Sequence, residues 1–165
     1  MRLRFVYLFR LFALVLGILM NGCADEDGPG LRPPIGHECE VTITQGIWGE
    51  VLFWEGDFMP IDPSGTVTPV ARQIFIYDAT HFSMVEIEGG GFYSQIGTDM
   101  VTQAASNENG CFEVELEPGR YSVFVWENGL FYANGGDGQG FIYPVTVSQG
   151  ATTRISFNID YMATY

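Results

Sequence analysis

Asp78, His81 and Ser83 place a carboxylate, an imidazole and a hydroxyl within six positions of the chain. Those are the groups of a hydrolytic relay, in which the imidazole takes the hydroxyl proton and the carboxylate orients the imidazole. Such a relay is defined by convergence in space, and residues this close along a strand end need not converge, so the sequence favours a polar loop. His37 is the only other histidine, and there is no His-Glu-x-x-His, Cys-x-x-Cys, phosphate loop or Gly-x-Ser-x-Gly. Asn107-Glu108-Asn109 and Asn134-Gly135-Gly136-Asp137-Gly138 offer hard oxygen ligands of the kind calcium takes, but without EF-hand spacing. Asn and Asp in Gly-rich segments serve turns equally well, since both tolerate left-handed φ. The expectation is a protein that is not an enzyme, with no metal and no cofactor.

A thiol is the third reactive group. Cys23 follows Leu19-Met20-Asn21-Gly22, at the end of an apolar run, Leu11–Met20, that is preceded by Arg2, Arg4 and Arg10. A basic start, a short apolar stretch and a small residue before cysteine make a secretory signal that resembles those of bacterial lipoproteins. The resemblance implies a signal peptide over residues 1–22, removed to leave Cys23 with acyl chains on its sulfur and amino group. The ten-residue run falls short of the about 20 apolar residues that cross a bilayer, and each buried methylene of an acyl chain adds about 0.8 kcal/mol of anchoring. Membrane contact is therefore expected through the lipid on Cys23. Asp25, Glu26 and Asp27 stand directly behind it. This run resembles the acidic export signal of surface lipoproteins in the Bacteroidota, which implies an outer-membrane protein displayed at the cell surface; the periplasmic face is the alternative. Gly28-Pro29-Gly30 and Pro33-Pro34 make residues 23–40 read as an extended tether.

Charge limits the partners. The chain carries 20 acidic residues against seven Arg and no Lys, and loss of residues 1–22 leaves four arginines and a net charge of −16. Nucleic-acid binding rests on phosphate neutralisation by cations, so no nucleic-acid partner is expected. The 143 residues from Cys23 onward suit one domain.

That domain, residues 41–165, reads as strands and turns. Ile47–Phe53, Val70–Asp78, Tyr121–Glu127, Ile142–Val147 and Thr153–Asp160 are rich in β-branched and aromatic residues. In Cys111–Leu116, Phe112, Val114 and Leu116 alternate with Glu113 and Glu115, giving a strand with one buried and one wet face. Asn109-Gly110 and Pro118-Gly119 are turn dipeptides on either side of it. The expected fold is an all-β antiparallel sandwich of about seven strands.

Asn107-Glu108-Asn109-Gly110-Cys111-Phe112 through Leu116-Glu117-Pro118-Gly119-Arg120-Tyr121-Ser122-Val123-Phe124-Val125 resembles the core of the carboxypeptidase regulatory-like domain. That family has a transthyretin-like sandwich with an Asn-Gly turn, Gly-x-Phe, Leu-x-Pro-Gly and Tyr-x-Val-x-Val in this order. The resemblance implies that Ile47–Val51 opens the fold and Val145–Ile159 closes it, and it implies an accessory, non-catalytic role. Between Phe53 and Thr102 the chain is longer than a minimal domain of this type.

Two further features concern the cysteines and the aromatic residues. Cys39 and Cys111 permit one disulfide, which would clip the tether to the sandwich; with Phe112 inward, Cys111 faces outward and a free thiol is the other reading. Aromatic residues exceed what one core needs: the family resemblance implies Ile47, Gly49 and Val51 inward, so that Trp48 and Trp54 face out, and with Tyr121, Val123 and Val125 inward, so do Phe124 and Trp126. Trp48, Trp54, Phe124 and Trp126, with Tyr132 and Asn134 in the following loop, form the candidate binding face. Alternatively, the 54–102 segment and the Phe131–Asn134 loop fold over it as a second small core. The functional expectation is a non-catalytic binding or accessory module for a glycan, peptide or envelope protein. A structural subunit of an outer-membrane or surface assembly is the alternative, served by free sheet edges.

Overall fold

Apolar residues at every second position, cut by Gly, Asn and Pro, commit the chain to extended pairing. The computed structural model describes residues 39–165, so the signal segment, Cys23, and Asp25, Glu26 and Asp27 lie outside the described residues. Eleven strands form: β1 (Gly46–Asp57), β2 (Thr66–Pro69), β3 (Gln73–Asp78), β4 (Val85–Gly89), β5 (Phe92–Ile96), β6 (Met100–Ala105), β7 (Cys111–Glu115), β8 (Gly119–Glu127), β9 (Leu130–Tyr132), β10 (Pro144–Val147) and β11 (Thr152–Thr164). A single 3₁₀ turn, Phe82–Met84, precedes β4.

The strands make the two-sheet, all-β sandwich that the alternation implies. Sheet A is organised on β1. One edge of β1 pairs in parallel with β11 from Gly46 opposite Thr152 to Asp57 opposite Thr164. Its other edge pairs antiparallel with β7 over Gly46–Glu50 and with β2 over Leu52–Glu55. Sheet B has the order β4-β5-β9-β8-β3-β6, with β10 beside the first half of β8. The strand count passes seven because residues between Phe53 and Thr102 supply β2, β4 and β5 besides β3. The closing segment divides between layers, β10 joining sheet B and β11 joining sheet A. Gly49 lets β11 approach β1 closely: a Cβ there would lie 1.8 Å from the Ile155 carbonyl oxygen.

The inter-sheet core follows the alternation. Ile47, Val51, Phe157 and Ile159 of sheet A and Ile74, Ile76, Val123, Val125 and Tyr132 of sheet B are all fully buried. Phe112 and Leu116 are buried with them, as their spacing requires. The hydroxyl of Tyr121 donates to the Glu117 carbonyl at 2.8 Å and pins the Pro118-Gly119 turn.

The opposite face of sheet B is largely covered too. Phe124 points away from Val123 and Val125 yet has no exposed surface. Tyr77, Tyr93 and Phe131 surround it edge-on, with ring centroids 5.7, 5.7 and 6.2 Å away. Beside it, Ser122 Oγ accepts from the Thr80 amide at 2.9 Å and donates to the Ile142 carbonyl at 2.6 Å, so both strand-flanking segments close over β8. Tyr77 and Tyr93 come from the 54–102 segment and Phe131 from β9: this is the second core that the sequence offers as the alternative to an open face.

Phe124 and Trp126 are two residues apart on one face of β8 but have different roles, and stability separates them. Phe124→Ala is expected to cost about 3–5 kcal/mol in urea unfolding, the range for emptying a buried aromatic site. Trp126→Ala, at a ring that keeps 40% of its surface exposed, is expected to cost only about 1 kcal/mol.

Candidate functional site

The six residues expected on one face, Trp48, Trp54, Phe124, Trp126, Tyr132 and Asn134, occupy three different places. Trp48 and Trp54 lie on the outer face of sheet A, as the alternation of β1 implies, but neither stands free. The Arg154 guanidinium sits over the Trp48 ring at 5.2 Å while reaching Glu50 at 3.4 Å. Trp54 Nε1 donates to Asn158 Oδ1 at 3.1 Å, and its ring packs on Phe58 at 5.0 Å. Phe124 is core, as described above. Tyr132 is also core, because the β9 alternation turns it toward sheet A. Burial, followed by its 2.6 Å hydrogen bond to Asp160, holds the Tyr132 hydroxyl far above the usual phenol range. Asn134 is exposed, but its amide is spent on the same Asp160 oxygen at 2.5 Å.

Trp126 is the aromatic member of that set that is exposed, and its setting is well defined. Asn128 and Gly129, with φ of 53° and 85°, turn β8 into β9. That Asn-Gly pair is a strong hairpin signal in the sequence, and it places Phe131 directly opposite Trp126. Phe131 and Phe75 hold the indole, with centroids 5.0 and 6.2 Å away. Because β8 and β3 pair Val125 with Ile74, the same register sets Trp126 opposite Gln73, and β6 sets Ala105 beyond Gln73. One row therefore crosses four strands as Phe131, Trp126, Gln73, Ala105. The adjoining row is Phe124, Phe75, Gln103. Gln73, Gln103, Ala105 and Trp126 are exposed. Neither glutamine amide has a hydrogen-bond partner among the described residues.

The other candidate groups are occupied by the fold. His81 caps the 3₁₀ turn: its Nδ1 accepts the Ser83 amide at 3.2 Å and lies 2.9 Å from Ser83 Oγ. The lone pair a general base would use is thus committed to a backbone amide, and the Asp78 carboxylate makes no hydrogen bond to the ring among the described residues. Asn107 Oδ1 accepts the amides of Asn109 and Cys111 at 2.9 and 3.1 Å, closing the turn before β7. Asp137 Oδ1 accepts the amides of Gln139 and Phe141, and Oδ2 pairs with Arg120. Burial alone would raise the Asp137 pKa, but those two amides and Arg120 outweigh it, and the net shift is downward. Among the described residues no three His, Cys, Asp or Glu side chains converge as metal ligands. An open groove of about 540 Å³ runs along Thr44, Gln45, Val101, Thr102, Glu115 and Tyr121; its lining contains no histidine or cysteine.

Cys39 and Cys111 are bonded, with Cα atoms 5.4 Å apart. The free-thiol reading of Cys111 is thereby set aside: it faces outward beside an inward Phe112 and still meets Cys39, because residues 39–45 run along that outer side. Thr42 donates from its amide to Glu113 at 2.7 Å and from its hydroxyl to the other carboxylate oxygen. Gln45 then bonds the Leu116 carbonyl at 2.8 Å and receives the Gly150 amide. Residues 39–45 thus form a strap alongside β7.

Reduction tests the strap. With a dithiol present, the urea midpoint is expected to fall by the equivalent of about 2–4 kcal/mol, and unreduced protein is expected to show no thiol reactive with an aromatic disulfide reagent at Cys39 or Cys111. Glu113 offers a pH test. Hydrogen bonds from the Thr42 hydroxyl and amide lower its pKa. A carboxylate lowered on folding stabilises above its unfolded pKa, and that contribution disappears as pH falls through the folded value. Carboxyl-carbon NMR is expected to give Glu113 a midpoint below that of ordinary glutamates, and Thr42→Val to move it upward.

No protein-family model matches this chain, and comparison with curated proteins and with solved structures gives no match.

Proposed function

We propose that this protein is a lipid-anchored component of the outer membrane, displayed at the cell surface, whose sandwich domain is a non-catalytic binding module of the carboxypeptidase regulatory-like type. The sequence features at Leu11–Cys23 and Asp25–Asp27 support the address, and the turn and strand order over 107–125 supports the domain type. The observation that carries the binding role is Trp126. A large aromatic ring kept 40% exposed beside the fully buried Phe124, and held in place by Phe75 and Phe131, is available to a partner and is not spent on the core. The strap supports display, since it fixes the tether end to one edge of the domain.

The alternative role, a structural subunit, has one observation in its favour. β11 is 13 residues long and pairs along only one edge. Such an edge can add a strand from another molecule.

Protease treatment of intact cells tests the address. Trypsin is a poor choice: the mature chain has no lysine, and Arg32 is followed by Pro33. With proteinase K, loss of the protein on immunoblots is expected while a periplasmic control survives, and Cys23→Ala is expected to release the protein from membranes. Survival of the band on intact cells would overturn surface display. Light scattering across a concentration series that shows a monomer would set aside the structural-subunit reading.

A further inference from the structure

We propose that the exposed face of sheet B around Trp126, Gln73 and Gln103 binds a neutral polysaccharide. The inference rests on the binding-module reading and names the ligand class. Three properties of the face lead to it.

The first is charge. Residues 39–165 contain 16 carboxylates, yet the exposed positions in these two rows are Trp126, Gln73, Ala105 and Gln103, with no ionisable group among them. All three arginines in the described residues are engaged elsewhere: Arg72 with Glu127, Arg120 with Asp137 and Arg154 with Glu50. An anionic glycan would therefore meet net repulsion and find no free cation among the described residues. A cationic peptide would gain more at the carboxylates elsewhere on the domain than on this neutral strip.

The second is hydrogen bonding. Each glutamine amide carries two donor hydrogens and an acceptor oxygen, and both are without internal partners. Sugar hydroxyls also donate and accept, so neighbouring hydroxyls on one ring can satisfy both ends of an amide at once. The bonds replace water one for one and carry no charge.

The third is shape. The indole presents a ring whose π face is negative, and the polarised C–H bonds on the flat side of a pyranose complement it. Trp126 on β8 and Gln103 on β6 are two strand spacings and one row apart, about 12 Å, with Gln73 between them, a span that places successive sugar units over the ring and over the amides. The site is a platform on a sheet and has no pocket end, which suits a chain bound along its length.

The test uses the full chain, solubilised in a polyoxyethylene detergent because sugar-headed detergents would compete. Native electrophoresis is run through gels containing xyloglucan, galactomannan, mixed-linkage β-glucan or dextran, with polygalacturonate as the anionic polymer. At least one neutral polymer is expected to retard the protein. Trp126→Ala is expected to weaken that retardation at least ten-fold, Trp126→Phe to keep part of it, and Gln73→Ala with Gln103→Ala to weaken it about five-fold. Unfolding midpoints of the variants show that the fold persists. Retardation by none of the neutral polymers, or neutral retardation unchanged in Trp126→Ala, overturns the proposal. A photo-crosslinking residue at Gln103, used on living cells, separates the two levels. Trp126-dependent capture of a protein without polymer binding overturns the glycan assignment and leaves the binding-module reading standing. Neither capture nor polymer binding removes both.

Discussion

Everything else in the domain depends on β1 being hydrogen-bonded along both edges. One edge takes the last strand of the chain in parallel, and the other takes β7 and β2 end to end. A strand held this way lies at the centre of its sheet, and its inner residues, Ile47 and Val51, are fully buried. It also means the sheet closes only when β11 is present. Pairings this distant in sequence are costly in chain entropy before they return any stability. Sheet B, with its hairpins β4–β5 and β8–β9, depends much more on local contacts.

Polar groups near the ends of the sandwich follow a common scheme. Each arginine in the described residues pairs with a carboxylate and lies over an aromatic ring: Arg72 near Phe53, Arg120 over Phe141, Arg154 over Trp48. The Glu127 side chain, almost completely buried, is held by Arg72 and by the Tyr161 hydroxyl at 3.1 Å. Buried charge is tolerable only with such partners. The scarcity of basic residues is thus put to internal use, and the surface that remains is acidic or neutral.

The sequence made the layers legible and left their relations obscure. Alternation in 111–116 correctly assigned Phe112 and Leu116 to the core, and Trp48 and Trp54 lie outward as the family resemblance implied. What alternation cannot supply is which outward face is covered. Phe124 has the same parity as Trp126, and the arrival of Tyr77 and Tyr93 from elsewhere in the chain, on Phe124 alone, distinguishes them. Trp48 and Trp126 both face outward, but from different sheets, so they share no surface. The parallel direction of β11 was equally hidden, because a strand's own pattern carries no information about the direction of its neighbour. The Asn128-Gly129 turn was readable, and it fixes the register that builds the candidate site.

The strap has a mechanical consequence. A pull applied ahead of Cys39 reaches the domain at two points, through the backbone into β1 and through the sulfur bridge into β7. Without the bridge, tension would act on residues 40–45 and then on the end of β1, opening its bonds one after another from Gly46. With it, part of the load passes directly to Cys111, and β1 cannot be peeled away by more than the slack of the strap while the covalent link holds. For a domain held by one end in moving fluid, drag is thereby borne by a strand pair together, and the strand on which the whole sandwich closes is shielded from unzipping.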